Sequence, residues 1–243
     1  MWFSSTAIAQ YSITGKIIDA ETQEPIYGAS IYFDGTTIGT ISNQQGNFKL
    51  TYEQNTKALL VVSSMGYEAQ QFQIPTKETH LKTIVLKPSI ESLDEVFLET
   101  DPWSREKKLR YFREWFLGSD YQEKKCKILN EEVIQLRFSP TTQKLTAIIS
   151  ESLIIENKYL GYNINYQLKD FDLSFSKSKM LKDKNDQPVY LPQMFYYSGT
   201  SFFQELKGKT KKRFKKRRAE TYLGSVTHFM RCLAKKELRE NDY

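Results

Sequence analysis

Nine of the twelve residues from Lys207 to Arg218 are cations: Lys207, Lys209, Lys211, Lys212, Arg213, Lys215, Lys216, Arg217 and Arg218. A block this dense repels itself unless it is counter-charged, so it belongs at the surface, and its direct chemistry is the binding of polyanions. Against a nucleic-acid backbone such a patch would lose affinity steeply with salt. Phe214 alone interleaves the run, too little aromatic surface for a stacking platform on single strands. The plain alternative is a solvated helix face or a loop balanced by acidic residues elsewhere in the chain.

Other candidate chemistry is sparse. Lys207-Gly-Lys-Thr210 invites comparison with a phosphate loop, but such a loop needs a glycine five residues before the Gly-Lys-Thr, and position 203 is Phe. The two histidines, His80 and His228, stand in His80-Leu-Lys-Thr83 and His228-Phe-Met-Arg231, neither of which gives the His-x-x-Glu pair of a zinc peptidase. No Gly-x-Ser-x-Gly elbow is present. Glu131-Glu132 and Asp94-Glu95 are paired carboxylates with nothing in the sequence to split them into acid and base. No catalytic residue, metal ligand or cofactor motif is expected. Cys126 and Cys232, the only cysteines, either form a bridge closing a loop of over a hundred residues or stand as two independent buried thiols. In the chain-entropy account such a bridge would stabilise by about 4 to 5 kcal/mol. His228 lies four before Cys232, on a neighbouring helical turn. With Val226, Phe229, Met230 and Leu233 defining the expected buried stripe of that helix, His228 reads as a core or cap residue.

The elements that would position these residues begin with a turn-rich β region. Ile13 and Ile17 alternate with polar neighbours, and short β-branched or aromatic runs are bounded by Gly, Asn, Asp and Pro. Strands are expected at 11–19, 29–33, 37–40, 47–51, 58–64, 69–74 and 82–86, with Asp34-Gly35 as a tight hairpin turn and Gln45-Gly46-Asn47 as another. Seven short strands at this spacing indicate a sandwich. The sequence carries, in order, Gly15-Lys-Ile-Ile-Asp19, Pro25-Ile-Tyr-Gly28-Ala29-Ser-Ile31, Ser42-Asn43-Gln-Gln-Gly46-Asn-Phe48 and Gly66-Tyr67 to Ile74. In these residues it resembles the carboxypeptidase-regulatory-like domain of Bacteroidota envelope proteins, a transthyretin-like sandwich with the pattern GxVxD, PLxGAxV, TDxxGxF and GYxxxxxxI. Asn43 replaces the usual Asp, one polar turn residue for another. The resemblance implies packing or recognition rather than hydrolysis.

Met1 to Gln10 ends in Ala7-Ile-Ala9, a small-x-small pattern of the kind cut at the end of a secretory signal. Residues 1–9 are therefore expected to be the remnant of a signal peptide, with cleavage between Ala9 and Gln10, and the chain is expected in the periplasm or at the outer membrane. No cysteine near this site supports a lipid anchor, and no apolar run approaches the roughly 18 residues of a spanning helix. In that compartment the polyanions open to the basic run are lipid headgroups, lipopolysaccharide phosphates and acidic polysaccharide, and nucleic acid falls to a distant third.

Charge divides the chain: residues 1–100 carry −5 and residues 101–243 carry +11. The expected units are a sandwich at 10–88, a linker at 89–101 and a basic α+β domain at 102–243. Within the linker, Leu93-Asp-Glu95-Val96 resembles the stretch that follows such sandwiches in TonB-dependent transporters. The second unit should open with a helix capped by Asp101, with Pro102 at its first position and Leu109, Phe112 and Phe116 on one face. Extended runs follow at 132–138, 144–150, 153–156, 160–168, 171–175 and 194–198, then terminal helices. Its pieces Trp115-Phe-Leu-Gly118, Cys126-Lys-Ile-Leu-Asn130 and Arg217 to Gly224-Ser225 resemble an extension found after such sandwiches in other Bacteroidota proteins, to which no activity attaches.

The sequence thus indicates a mainly β protein: a seven-stranded immunoglobulin- or transthyretin-like sandwich followed by an α+β domain with a helical basic C-terminus. Its expected role is that of an exported, non-enzymatic binding or structural module of the cell envelope, engaging a protein, a glycan or an anionic lipid or lipopolysaccharide surface. Two alternatives stay open, an accessory of a TonB-dependent uptake system and a cell-wall or glycan hydrolase with its site in the second domain.

Overall fold

The computed structural model describes residues 10–53, 56–74, 80–81, 83–89, 99–118, 125–182, 188–207 and 211–241. The expected signal remnant with Ala9, the stretch Leu93 to Val96 and Lys209 lie outside the described residues. The protein is mainly β, with two separate hydrophobic cores.

The first core is sealed by seven strands: β1 (Gln10–Asp19), β2 (Ser30–Phe33), β3 (Gly39–Ile41), β4 (Asn47–Glu53), β5 (Leu60–Ser63), β6 (Gln70–Phe72) and β7 (Ile84–Leu86). They form two sheets, one in the order β4-β1-β7 and one in the order β3-β2-β5-β6. β1 pairs antiparallel with β4 along its first seven residues and then parallel with β7 at Ile17 to Asp19, so one strand serves two partners in succession. Alternation puts Ile13 and Ile17 of β1 and Phe48, Leu50 and Tyr52 of β4 inside. Gly46 has φ +75°, and a Cβ there would lie 2.4 Å from the Ile17 carbonyl oxygen, so the turn into β4 needs glycine. The turn between β2 and β3 runs from Asp34 to Ile38, longer than the two-residue hairpin expected at Asp34-Gly35.

The second core lies between α1 (Arg105–Leu117) and a sheet built from β8 (Cys126–Ile128), β9 (Ile134–Ser139), β10 (Lys144–Ile149), β11 (Leu153–Asn157), β12 (Tyr162–Lys182) and β13 (Pro188–Glu205). All its pairings are antiparallel: β8 with β11, β9 with β10, β10 and β11 with β12, and β12 with β13. β8 and β9 follow one another along one line, as do β10 and β11, so the sheet is in effect a four-stranded meander with a break crossing it. At that break the Asn130 side chain donates to the Ser152 carbonyl at 3.0 Å and accepts from the Ile154 N–H at 2.8 Å. β12 takes its own irregularity between Leu168 and Asp170, where Lys169 is the extra residue.

That bulge explains why 160–168 and 171–175 read as two strands. Before it the core-facing residues are Ile164, Tyr166 and Leu168, and after it they are Phe171, Leu173 and Phe175. The extra residue moves the apolar set from even to odd positions, and an alternation that changes phase looks like an ended strand. The chain instead runs unbroken to Lys182, and β13 answers it over 18 residues where only 194–198 was expected.

The helix start is also corrected. Asp101 is not the cap of α1; Ser104 is, its hydroxyl accepting from the Lys107 N–H at 3.2 Å. Asp101 instead accepts from the N–H groups of Trp103 (2.9 Å) and Phe138 (3.0 Å) and from Lys108 Nζ (2.5 Å), tying the approach to α1 onto β9. Trp103 then stacks flat on Phe138 at 3.7 Å between ring centroids, with Phe175 and Tyr190 at their edges.

The two halves meet along β13. Thr36 forms an isolated parallel bridge with Phe202. The Gly35 N–H donates to the Ser201 carbonyl at 2.8 Å and the Phe203 N–H to the Thr36 carbonyl at 2.9 Å. Asp34 Oδ1 accepts from the Ser201 N–H at 2.7 Å, and Tyr32 Oη lies 2.9 Å from Thr200 Oγ1 in a buried contact. The β2–β3 turn thus satisfies part of an edge strand that would otherwise present open backbone groups.

Candidate functional site

The basic run becomes α2 (Lys211–Tyr222), followed after Leu223-Gly224-Ser225 by α3 (Val226–Lys235). Its residues divide by helical face. Phe214, Arg217 and Arg218 lie on the side turned to the β11–β12 turn. The Phe214 ring occupies the space above Gly161, where φ is +74° and a Cβ would sit 2.4 Å from the ring. Arg217 donates to the Tyr159 carbonyl at 3.2 Å and lies over the Tyr159 ring. Arg218 donates to the carbonyls of Leu160 (2.8 Å) and Gly161 (3.1 Å), pairs with Glu205 at 2.6 Å and packs on the Tyr162 ring. These two arginines dock the helix. Lys212, Arg213, Lys215 and Lys216 are exposed, with Lys216 placed 3.8 Å from Glu220 one turn on. Lys207 is exposed just after β13.

α3 reverses the expected burial. Ser225 caps it through a hydroxyl that accepts from the His228 N–H at 3.1 Å. His228 and Cys232, one turn apart, are the buried residues. Val226, Phe229, Met230 and Leu233, expected inside, are exposed, Val226 at 79% and Met230 at 55%. The sequence period located an apolar stripe correctly but could not say which side meets the protein. His228 Nδ1 accepts from the Gly224 N–H at 3.3 Å and the ring rests on Tyr222 at 4.9 Å, so it holds the α2–α3 turn together. His80 Nδ1 lies 2.8 Å from Thr14 Oγ1, on the sandwich.

Cys126 and Cys232 are free thiols. The first opens β8, half-buried, and burial pushes its thiol pKa up; the second is buried on the inward side of α3. They sit on different elements and no bridge joins them. Among the described residues no group of three or more His, Cys, Asp or Glu is gathered as metal ligands.

A feature the sequence did not flag is an open cleft of about 2300 Å³ between the sandwich and the sheet. One wall is the end of β5 with the following turn, Ser63 to Ala69. The other is the sheet face opposite α1, which presents Gln135, Asn165, Gln167, Tyr196, Ser198 and Thr200. Gln167 Oε1 is withdrawn from water and accepts no hydrogen bond among the described residues. Tyr196 is 55% exposed. On β12, Asn165 and Gln167 are the polar half of an alternating strand, which in sequence is indistinguishable from a face turned to solvent. What makes that face a wall is the docking of the β2–β3 turn on β13, a long-range contact with no local signature.

A family model described as a CarboxypepD_reg-like domain matches residues 13–98. Over 96 residues the chain is 35% identical to the TonB-dependent receptor SusC of Bacteroides thetaiotaomicron; the matched stretch is 40% of this chain and spans 9% of the receptor. Among solved structures, the C-terminal domain of shaft pilin spaA from Lactobacillus rhamnosus GG is similar at 17% identity, over 33% of this chain and 99% of that one, with a TM-score of 0.24. A DUF3823 family protein from Parabacteroides merdae is similar at 13% identity, over 84% of this chain and 85% of that one, with a TM-score of 0.23. No helix among the described residues is long and apolar enough to cross a membrane.

Proposed function

We propose, for a chain whose residues 13–98 form a CarboxypepD_reg-like domain, that it works as an exported binding module of the bacterial envelope and takes a glycan in the cleft between its two halves. The matched domain family is of a binding rather than a catalytic type. The observation that carries the ligand class is the cleft wall, which the amide side chains of Gln135 and Asn165 line together with the exposed Tyr196 ring. Planar amides and hydroxyls can both donate and accept, which suits the alternating donors and acceptors of a sugar, and an aromatic face suits its C–H surface. The proposed units are the sandwich at 10–88 and the basic domain at 102–243, acting in the periplasm or at the outer membrane.

Calorimetric titration of the chain with a panel of soluble neutral and acidic oligosaccharides tests this reading. At least one should bind, and Tyr196→Ala should weaken it about tenfold, the worth of one aromatic contact. No binding across the panel, or binding indifferent to Tyr196, overturns the glycan reading.

The likeness to SusC over 96 residues supports a second reading, an accessory of a TonB-dependent uptake system. Co-purification of a TonB-dependent receptor with the tagged chain from a native host, lost on deletion of residues 10–88, would support it. Envelope fractions in which the tagged chain brings down no such receptor would oppose it.

A further inference from the structure

The last two helices carry an exposed apolar stripe and an exposed cationic face with no assigned role. Leu223, Val226, Met230 and Leu233 are all exposed, and the last three recur at the i, i+4, i+7 spacing of one helical face. This is not the side by which α3 holds to the protein, which is marked by His228 and Cys232. Arg231 and Lys235 occupy the polar arc of the same helix, and α2 turns Lys212, Lys215 and Lys216 outward. Residues 211–241 hold eleven Lys and Arg against three Glu.

We infer that α2 and α3 form an interfacial membrane anchor, with the α3 stripe seated at the headgroup boundary of a phospholipid bilayer and the α2 lysines on anionic headgroups. A strongly amphipathic helix with a basic polar face is the form such anchors take, because apolar area and attraction to anionic lipid act together. The charge decides among occupants. A second copy would bring the same excess of cations against itself, and like charges at a shared face oppose association. A nucleic-acid backbone would satisfy the lysines but leave Val226, Met230 and Leu233 in water. A lipid surface offers partners to both, apolar chains to the stripe and anionic headgroups to the lysines. The inference is independent of the cleft, and oligosaccharide binding and vesicle binding can fail separately.

The test is flotation of the full chain with vesicles of phosphatidylcholine alone and with phosphatidylglycerol added. Binding should require phosphatidylglycerol and fall with salt. Replacing Lys212, Lys215 and Lys216 together by Gln should weaken it on the order of 100-fold, following the contribution of each cation near an anionic surface. The variant Val226→Ser, Met230→Ser, Leu233→Ser should also lose binding while keeping the thermal midpoint of the parent, because these side chains are exposed. A Met230→Trp probe should shift its emission to the blue on anionic vesicles. Equal binding to both vesicles, no binding, or variants that bind like the parent overturn the proposal. So does a concentration-dependent dimer dispersed by Met230→Glu, which would make the stripe a self-interface, or capture by polyglutamate without vesicle binding, which would make the partner an acidic protein.

Discussion

The Tyr67 hydroxyl donates to Asp19 Oδ2 at 2.6 Å, joining residues 48 positions apart in the sandwich. Asp19 ends β1, and its Oδ1 accepts the N–H groups of Glu21 (2.7 Å) and Thr22 (2.9 Å), shaping the turn that follows. Two of the short sequence motifs of the sandwich, Gly-x-x-x-Asp and Gly-Tyr, are therefore one hydrogen-bonded unit.

That unit sets a pH dependence. The bonds from Tyr67, Thr22 and Glu21 hold the Asp19 carboxyl below the ordinary carboxylate range. A depressed folded-state pKa gives stability that is fully present above the unfolded value, near pH 4, and is lost as pH falls through the folded value. Thermal midpoints measured from neutral to strongly acidic pH should fall less steeply for Asp19→Asn than for the parent. Tyr67→Phe should lie between the two, since the turn N–H bonds remain. A parent and an Asp19→Asn variant with parallel pH profiles would remove this role.

The join between the halves should be separable from the stability of each. Asp34 Oδ1 holds the Ser201 N–H, and a Cβ added at Gly39 would lie 2.6 Å from the Phe202 ring and 3.1 Å from Tyr32 Cβ. Asp34→Ala leaves a backbone donor of β13 unmatched, a loss of about 1 to 3 kcal/mol. Gly39→Ala pushes Phe202 off its seat against Tyr32. Both variants should raise amide exchange at 199–203 and on the Asp34–Ile38 turn, and leave exchange in the centre of β1 and β9 unchanged. Global loss of protection in either variant would instead mean that the two cores fold as one unit.

All seven sandwich strands were legible because each is bounded by turn residues and carries either local alternation, as β1 and β4 do, or a short β-branched or aromatic run, as β2 and β5 do, and the Asp34-Gly35 turn was marked though not its length. In the second domain the same alternation failed at Lys169, where one extra residue changes its phase. It failed again on α3, where the period finds Val226, Met230 and Leu233 but a helix in isolation has no inside. The density of charge from 207 to 218 was plain, yet Arg217 and Arg218 are docking residues because Tyr159 and Tyr162, more than fifty positions away, offer rings and carbonyls. Asp101 before Pro102 imitates a cap and is drawn off by Phe138 and Lys108. Each miss depends on what approaches from afar, and the cleft, made wholly of such an approach, left no local mark.

The thiols give a direct chemical check. Cys126 is half-buried and burial raises its pKa, so it forms little thiolate at neutral pH, while Cys232 is shielded on the inward side of α3. Non-reducing denaturation should expose two free thiols per chain to an aromatic disulfide reagent, and the native protein should react slowly. Replacing Cys232 by Ser should lower the thermal midpoint modestly and disturb the packing of His228, visible as a shift of its ring signals. A mass two hydrogens lighter than the reduced chain, in protein taken from an oxidising compartment, would show a bridge that this arrangement does not contain.

The second core should depend most on the pair Trp103 and Asp101. Trp103 is 7% exposed and lies flat on Phe138, so Trp103→Ala removes a large stacked ring at the mouth of the core and should cost about 3 to 5 kcal/mol. Burial raises the Asp101 pKa, but Lys108 and the N–H groups of Phe138 and Trp103 outweigh it and leave the carboxyl below its ordinary value. By the same sign as for Asp19, its contribution is complete above about pH 4 and fades on acidification. Asp101→Asn leaves Lys108, itself largely buried, without its counter-ion and should lose about 1 to 3 kcal/mol at neutral pH. Asp101→Ala should lose more, because the Phe138 N–H is then unmatched as well. Ser104→Ala, which removes the true cap of α1, should lose about 1 kcal/mol. Urea unfolding followed by tryptophan fluorescence for Asp101→Asn, Asp101→Ala and Ser104→Ala orders these effects, and an Asp101→Ala variant no worse than Ser104→Ala would show that the tie from β9 to the start of α1 holds nothing.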